Sequence, residues 1–216
     1  MIRKIKNLVW AFLNKLGIGG AVQLYLQSGI KDDGWFNSFH TKHSVDKSNK
    51  PIPWNTYSYL KFIEPRLKKD FDLFEFGSGN STRWYAERVG TIKAVENDSR
   101  WAELVSKNVP GNVKVVYKDL EYGGDYANEV FSEDKKYHII IVDGRDRVNC
   151  AKNSAKQLTT DGVIVLDNSE RIEYKEVFDF LLQNGFKKID FWGLSPIIAD
   201  NNCTTVFYRE QNCLHI

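Results

Sequence analysis

The sequence predicts an α/β fold: a doubly wound, seven-stranded sheet, mostly parallel with an antiparallel last strand, preceded by an N-terminal helical elaboration. From residue 71 onward, short runs rich in β-branched and aromatic residues alternate with helical stretches, as in a parallel sheet with helices on both faces. The runs IIIV at 139–142 and VIVL at 163–166 are apolar throughout, as central strands are. Only about ten residues separate the last two runs, too few for a helical crossover, so these strands should be antiparallel.

The first 70 residues lack this alternation, so we expect an N-terminal helical or lid elaboration at 1–70 and a main domain at 71–216. Residues 1–16 have the pattern of a basic amphipathic helix. Its apolar side holds Ile2, Ile5, Val9, Phe12, Leu13 and Leu16, and Arg3, Lys4, Lys6 and Lys15 lie on the other side. Such a helix packs its apolar face on the domain or on a second subunit, the more common case, or lies on an anionic membrane surface.

The seven strands follow in order. We expect them at 71–76, 91–96, 112–117, 137–143, 162–167, 186–192 and 204–209, with helices near 81–89, 99–108, 124–132, 148–158 and 173–184. The last two runs alternate or contain charged residues, which is typical of edge strands.

Composition excludes several classes of protein. The 30 basic and 28 acidic residues nearly balance, so overall charge gives no argument for a nucleic-acid partner. The three cysteines are widely separated and lack a Cys-x-x-Cys spacing, which argues against a disulfide framework or a zinc site. No apolar run approaches the roughly 20 residues that span a bilayer, and the N-terminus lacks the cleavage site of a signal peptide. We therefore expect a cytoplasmic protein, with membrane contact only through residues 1–16.

The first strand runs into the turn Glu75-Phe76-Gly77-Ser78-Gly79, which is followed by a helix. Glycines at such a turn adopt backbone angles closed to other residues and let a ligand approach the main chain. A dinucleotide-binding turn would have a third glycine, where this chain has Thr82. Glu75 would repel a phosphate and attract a cationic amino-acid group. The turn therefore suits a nucleoside-type ligand without a pyrophosphate.

Acidic residues end the next strands. Glu96 follows the turn by about twenty residues, where a carboxylate accepts the ribose hydroxyls of a nucleoside. Asp119 follows the third strand and could accept from an adenine amino group, and Asp143 ends the fourth.

Together, Glu75-x-Gly77-Ser78-Gly79, Glu96, Asp119 and Asp143-Gly144 resemble the successive ligand-binding motifs of the class I S-adenosylmethionine-dependent methyltransferases, over about residues 70–209. The resemblance implies a Rossmann-like sheet and S-adenosylmethionine as cofactor. It also implies that Gly77 and Gly79 approach the methionine and ribose portion, that Glu96 holds the ribose and that Asp119 lies near the adenine.

A metal site is one further expectation. Asp143 ends strand four and Asp167-Asn168 ends strand five, so three oxygen ligands should converge, as Mg²⁺ prefers. The arrangement is similar to that of metal-dependent catechol-type and some sugar O-methyltransferases, in which the metal lowers the pKa of an acceptor hydroxyl. The alternative is that Asp143 only positions substrate and that Asp167-Asn168 forms a turn.

Without a metal, a general base is needed, and the candidates are His40, His43, Asp143 and Asp146. Trp54, Tyr57 and Tyr59 contact the ligands or, as is more common, pack in the core. Arg145 and Arg147 pair with an acidic acceptor or are solvated.

The predicted function is methyl transfer, with the hydroxyl of a carbohydrate or other small molecule as acceptor. An aminopropyltransferase of the spermidine synthase type and a non-catalytic binding protein are the alternatives. We expect no nucleic-acid partner, and the sequence leaves open whether the chain forms a homo-oligomer.

Overall fold

The computed structural model describes residues 2–216, and its N-terminal part is helical. The helices there are α1 (Ile2–Lys15), α2 (Gly19–Leu26), α3 (Gly29–Asp32), α4 (Trp35–Thr41) and α5 (Tyr57–Ile63). A single β-bridge between Val45 and Pro51 closes the loop between α4 and α5. None of the helices within residues 2–216 is both long and apolar enough to cross a bilayer.

Seven strands form one sheet in the order β3-β2-β1-β4-β5-β7-β6. The strands are β1 (Asp72–Phe76), β2 (Thr91–Glu96), β3 (Val113–Tyr117), β4 (Tyr137–Val142), β5 (Leu158–Asp167), β6 (Lys187–Gly193) and β7 (Asn202–Tyr208). The connecting helices are α6 (Asn80–Ala86), α7 (Ser99–Ser106), α8 (Asp125–Asn128), α9 (Arg147–Gln157) and α10 (Lys175–Gln183).

The strand directions confirm the predicted fold class. Neighbouring strands from β3 to β5 pair in parallel, and β7 is antiparallel to both β5 and β6. The fifth strand begins at Leu158, four residues before the predicted start at 162, because Leu158 already pairs with Tyr137 before the register shifts. Gly162 marks this irregularity, since a Cβ there would lie 2.8 Å from the carbonyl oxygen of Tyr137.

The prediction that both last strands lie at the edge is wrong for β7, which lies between β5 and β6. The charge that suggested an edge belongs to Arg209, which follows the end of the strand. Inside the strand the polar side chains are buried and hydrogen-bonded: the hydroxyl of Thr204 donates to Asp167 at 2.7 Å, and that of Thr205 donates to Asp190 at 2.8 Å. A buried strand tolerates threonine where such acceptors are present.

Both faces of the sheet are covered, so strand side chains pack in two separate cores. Leu73 of β1 packs with Tyr59 and Tyr85 on one face, and Phe74 and its neighbours pack on the other. Tyr57 and Tyr59 are buried, which confirms their predicted core role. With the faces filled, the loops beyond the carboxyl ends of the strands are where this type of sheet binds a ligand.

Candidate active site

A cavity of about 530 Å³ lies at the carboxyl ends of β1, β2, β4 and β5. Its lining comes from the loops after these strands and from two segments outside them: Trp54, Glu75, Gly77, Ser78, Ser81, Glu96, Asn97, Asp98, Asp143, Gly144, Arg145, Arg147, Asp167, Asn168, Arg171 and Ile198. A smaller cavity of about 270 Å³ shares Trp54, Ser78, Ser81 and Asp143 with it and adds, among others, His43 and Trp101. Together they have the size of a small-molecule site.

The turn after β1 is organised around a buried carboxylate. The hydroxyls of Ser81 and Thr82 donate to the two oxygens of Glu75, the second at 2.6 Å, and the Thr82 hydroxyl accepts from the backbone N–H of Gly79. Thr82 thus stabilises this turn at the position where a dinucleotide-binding turn has glycine. Burial raises the pKa of Glu75 to about 7. A cationic group in the cavity would stabilise its charged form.

Glu96 is fixed on the cavity wall by three hydrogen bonds. Its Oε1 accepts from the backbone N–H groups of Asn97 at 2.8 Å and Asp98 at 3.1 Å. Its Oε2 accepts from the Ser78 hydroxyl at 3.1 Å. The indole of Trp101 also donates to the carbonyl oxygen of Ser78 at 2.9 Å. The loops after β1 and β2 are therefore joined, and the Glu96 carboxylate is held ready for hydroxyl donors.

The loops after β1 and β4 approach each other through two glycines. Gly77 has a φ of +99°. A Cβ on Gly144 would lie 2.9 Å from the backbone nitrogen of Gly77 and 2.0 Å from the hydroxyl of Tyr126. Tyr126 is fully buried in the core, so a shift of its ring would disturb the packing there. Only glycine fits at position 144.

We therefore expect Gly144→Ala to destabilise the fold by about 1–3 kcal/mol, since overpacking has costs of this order. Thermal unfolding should report a melting temperature lower by several degrees. Gly111→Ala is the matched control, because a Cβ there meets no atom within 4 Å. An unchanged melting temperature for Gly144→Ala would contradict the close packing of the two loops.

A buried arginine lies among the three predicted metal ligands. Arg147, at the start of α9, is only 8% exposed, and its Nη2 donates to Asp143 Oδ1 at 2.9 Å and to the Asp143 carbonyl oxygen at 3.2 Å. Its Nη1 donates to the carbonyl oxygen of Asp167 and reaches Asn168 Oδ1 at 3.4 Å. Its Nε donates to the carbonyl oxygen of Gly144. The guanidinium thus meets five oxygen atoms of the protein.

These oxygen atoms fit a guanidinium better than a metal ion, because all five lie within hydrogen-bonding distance of its N–H groups. The structure does bring Asp143, Asp167 and Asn168 together, but the cation among their oxygens is Arg147. Nowhere in residues 2–216 do three or more His, Cys, Asp or Glu side chains form a group that could hold a metal.

Asp143 is the one predicted catalytic residue that reaches both cavities. Its side chain is 23% exposed, and within residues 2–216 only Arg147 hydrogen-bonds to the carboxylate, through Oδ1. Burial and the neighbouring charge of Asp167 raise the pKa of Asp143, and Arg147 opposes that shift. The second oxygen, Oδ2, is left for a ligand.

The other predicted site residues either line a cavity or lie outside both cavities. His43 lines the smaller cavity and Trp54, which is 45% exposed, lines both. His40 and Asp119 are exposed and line neither cavity. Asp146 is buried, and its carboxylate accepts from the backbone N–H of Gly123 and from Asn149, so it holds a loop in place.

Sequence reasoning missed three features of the cavity. It considered Arg147 as a partner of an acidic acceptor or as a solvated residue, and missed its ion pair with Asp143. It also missed Asn97 and Asp98, whose backbone N–H groups hold Glu96. Arg171 and Ile198 come from loops with no recognisable motif.

Comparison with known proteins gives structural matches only. No protein-family model matches the sequence, and no curated protein matches it. Similar solved structures include a precorrin-6y C5,15-methyltransferase from Geobacter metallireducens, with a TM-score of 0.58 and 14% identity over 78% of this chain and 98% of that one. A candidate O-methyltransferase from Klebsiella pneumoniae has a TM-score of 0.56 and 16% identity over 88% and 94% of the two chains.

A TehB-like SAM-dependent methyltransferase from Corynebacterium glutamicum matches with a TM-score of 0.52 and 15% identity over 71% of this chain and 88% of that one. Identities this low bear on the fold and leave the substrate open. The strand order, the motifs and these matches agree: the chain has the Rossmann-like fold of the class I S-adenosylmethionine-dependent methyltransferases.

Proposed function

We propose that this protein is an S-adenosylmethionine-dependent methyltransferase. The observation that supports this most is the fixed carboxylate of Glu96 beside the Gly77–Gly79 turn, on the wall of a cavity of about 530 Å³. Two hydroxyls of a ribose would donate to that carboxylate. Glu75 supplies negative charge on the same wall for the amino-acid end of the cofactor.

S-adenosylmethionine, when bound, supplies an activated methyl group. The protein then has to orient the acceptor and remove its proton. We infer an O-methylation, because Asp143 belongs to both cavities and has an oxygen free of protein partners. In this role Asp143 is the general base and takes the proton of the acceptor hydroxyl, and His43 in the smaller cavity is the second candidate.

The acceptor that we propose is the hydroxyl of a carbohydrate or another small molecule. Trp54 supports this choice, since an exposed indole on a cavity wall offers a flat apolar face for the ring of an acceptor. His43 and Ser44 line the same smaller cavity and add polar groups around it. A mixed wall of this kind suits a ligand with both ring faces and hydroxyls.

We further propose that the reaction needs no Mg²⁺. Arg147 supplies positive charge beside Asp143, where the sequence predicted the metal, and its guanidinium already contacts Oδ1 of Asp143 and Oδ1 of Asn168. In this proposal Arg147 is a positioning residue: it fixes Oδ1 of Asp143, so that Oδ2 points consistently at the acceptor.

Glu96→Gln tests the cofactor assignment. The glutamine keeps an oxygen that can accept from the Asn97 and Asp98 N–H groups, but its NH₂ group cannot accept from a ribose hydroxyl. The loss of a charged hydrogen bond, worth roughly 1.5–3 kcal/mol, should weaken S-adenosylhomocysteine binding about 10- to 100-fold by calorimetry.

Glu103→Gln is the matched control, because Glu103 lies on the exposed side of α7 and pairs only with Lys107. It should bind S-adenosylhomocysteine as the wild type does. If the wild type itself fails to bind, the methyltransferase proposal is refuted and a non-catalytic binding protein becomes the better description. Transfer of labelled methyl groups to a panel of sugars and phenols would then identify the acceptor class.

A further inference from the structure

Helix α1 leaves its apolar face without a partner. All but one of the apolar residues that the sequence placed on one side are exposed in the structure: Ile2 by 84%, Ile5 by 55%, Val9 by 51%, Phe12 by 62% and Leu16 by 54%. Leu13 is half-buried, and the neighbouring Leu8 is 71% exposed. No residue of α1 is buried. Of the two more common partners, the domain and a second subunit, the domain is therefore wrong for this face. An exposed apolar stripe of this kind marks a binding surface.

The positive charge of residues 2–31, which include α1, indicates the kind of partner. Residues 2–31 include Arg3, Lys4, Lys6, Lys15 and Lys31 and no acidic residue, while the whole chain has a net charge of only +2. The rest of the chain is therefore net acidic. An anionic surface attracts the N-terminal helices and repels the body of the protein, so it would orient the molecule.

We propose that α1 binds an anionic lipid surface, lying in the plane of the interface. Apolar residues on one side and lysines and arginines on the other are the pattern of helices that insert their apolar face among the lipid headgroups. Leu24, Tyr25 and Leu26 at the end of α2 are exposed as well.

A second copy of the chain is the competing partner, and charge disfavours it. A dimer through the apolar faces of two α1 helices would bury the apolar side. The basic residues Arg3, Lys4 and Lys6 would gain no anionic partner from it, because residues 2–31 contain no acidic residue. An anionic bilayer meets the apolar and the basic side at once, whereas a dimer satisfies only the apolar one.

Vesicle sedimentation tests the proposal with the full chain. The wild type should sediment with vesicles of phosphatidylcholine containing about 30% phosphatidylglycerol, and its partition coefficient should fall at least about tenfold on pure phosphatidylcholine, since each basic residue adds to the attraction. Binding should also weaken in about 0.5 M salt, where screening is short-ranged.

Two variants separate the contributions of the two faces. Ile5→Ser with Phe12→Ser removes apolar surface, and Lys4→Glu with Lys6→Glu reverses charge; each should lower partition about tenfold or more. All four side chains are exposed, so the fold should be retained. Lys69→Glu with Lys107→Glu is the matched control, with the same change of net charge on exposed sites of the body, and it should bind as the wild type does.

Three results would overturn the proposal. The first is a wild type that stays in solution with the anionic vesicles, and the second is equal binding by the wild type and both α1 variants. The third is a dimer, seen by light scattering, that does not bind vesicles and that Ile5→Ser with Phe12→Ser dissociates.

Discussion

Asp143→Asn is expected to lower kcat about 100- to 10,000-fold, the usual contribution of a general base, with little change in S-adenosylhomocysteine binding. The asparagine has the shape of the aspartate, and its oxygen can still accept from Arg147, so the cavity should keep its form. It cannot take a proton from the acceptor. Steady-state methyl transfer and calorimetry on the same preparation measure both quantities.

The pH dependence gives a second test of Asp143. Because burial and the charge of Asp167 raise the pKa of Asp143, the carboxylate needed for proton removal forms only above the usual range for an aspartate. The rate of the wild type should rise with pH through this raised pKa, and Asp143→Asn should lose that limb. Asp134→Asn, an exposed aspartate near the start of β4, is the matched control and should keep the wild-type profile. If Asp143→Asn kept more than about a tenth of the rate, the base would have to be sought elsewhere, first at His43.

Arg147→Met is expected to lower the free energy of unfolding by about 3–5 kcal/mol, as removal of one partner of a buried ion pair does. Methionine fills most of the volume of the arginine stem but removes the cation that hydrogen-bonds to the Asp143 carboxylate and lies beside Asp167. Arg147 holds the pKa values of both carboxyls down, so these values should rise further in the variant. The stability difference from the wild type should be small in acid, where both carboxyls are protonated, and should grow as pH rises and they ionise.

The pH dependence of the activity should report the same rise in the pKa values of the two carboxyls. The acidic limb of the rate profile should move to higher pH in Arg147→Met, and Arg147→Lys should restore part of the shift because it keeps the charge but not the planar set of donors. Arg88→Met is the matched control: Arg88 pairs with the half-exposed Glu64, and such a surface pair is worth at most about 1 kcal/mol.

The proposal that the reaction needs no Mg²⁺ has its own test. A chelator should leave wild-type activity unchanged, and calorimetry should detect no Mg²⁺ binding to the wild type. A wild type that loses activity in chelator and regains it with Mg²⁺ would show that Arg147 does not replace the ion.

Much of the sheet could be predicted from the sequence, because the patterns that decide it are local. The apolar runs of β4 and β5 and the short link between β6 and β7 are visible along the chain. The inner position of β7 could not be predicted in this way. It depends on acceptors such as Asp167 and Asp190, which approach Thr204 and Thr205 only in the folded sheet.

The same distinction applies to the site. Gly77, Glu96 and Asp143 belong to strand ends, so their convergence follows from the parallel order of the strands. Asp119 also follows a strand, but it is an exposed residue beyond the edge strand β3 and does not line the cavity. The role of Arg147 could not be read from the motif alone, because three of the oxygens around it are backbone carbonyls, of Asp143, Gly144 and Asp167.

A positive charge that belongs to the chain is present at a fixed level, whereas the occupancy of a bound metal ion depends on the solution. A metal site fills according to the free concentration of its ion, so the fraction of competent molecules varies with supply and with competing ions. The guanidinium of Arg147 is present in every folded molecule. The positive charge beside Asp143 is therefore in place whenever the chain is folded.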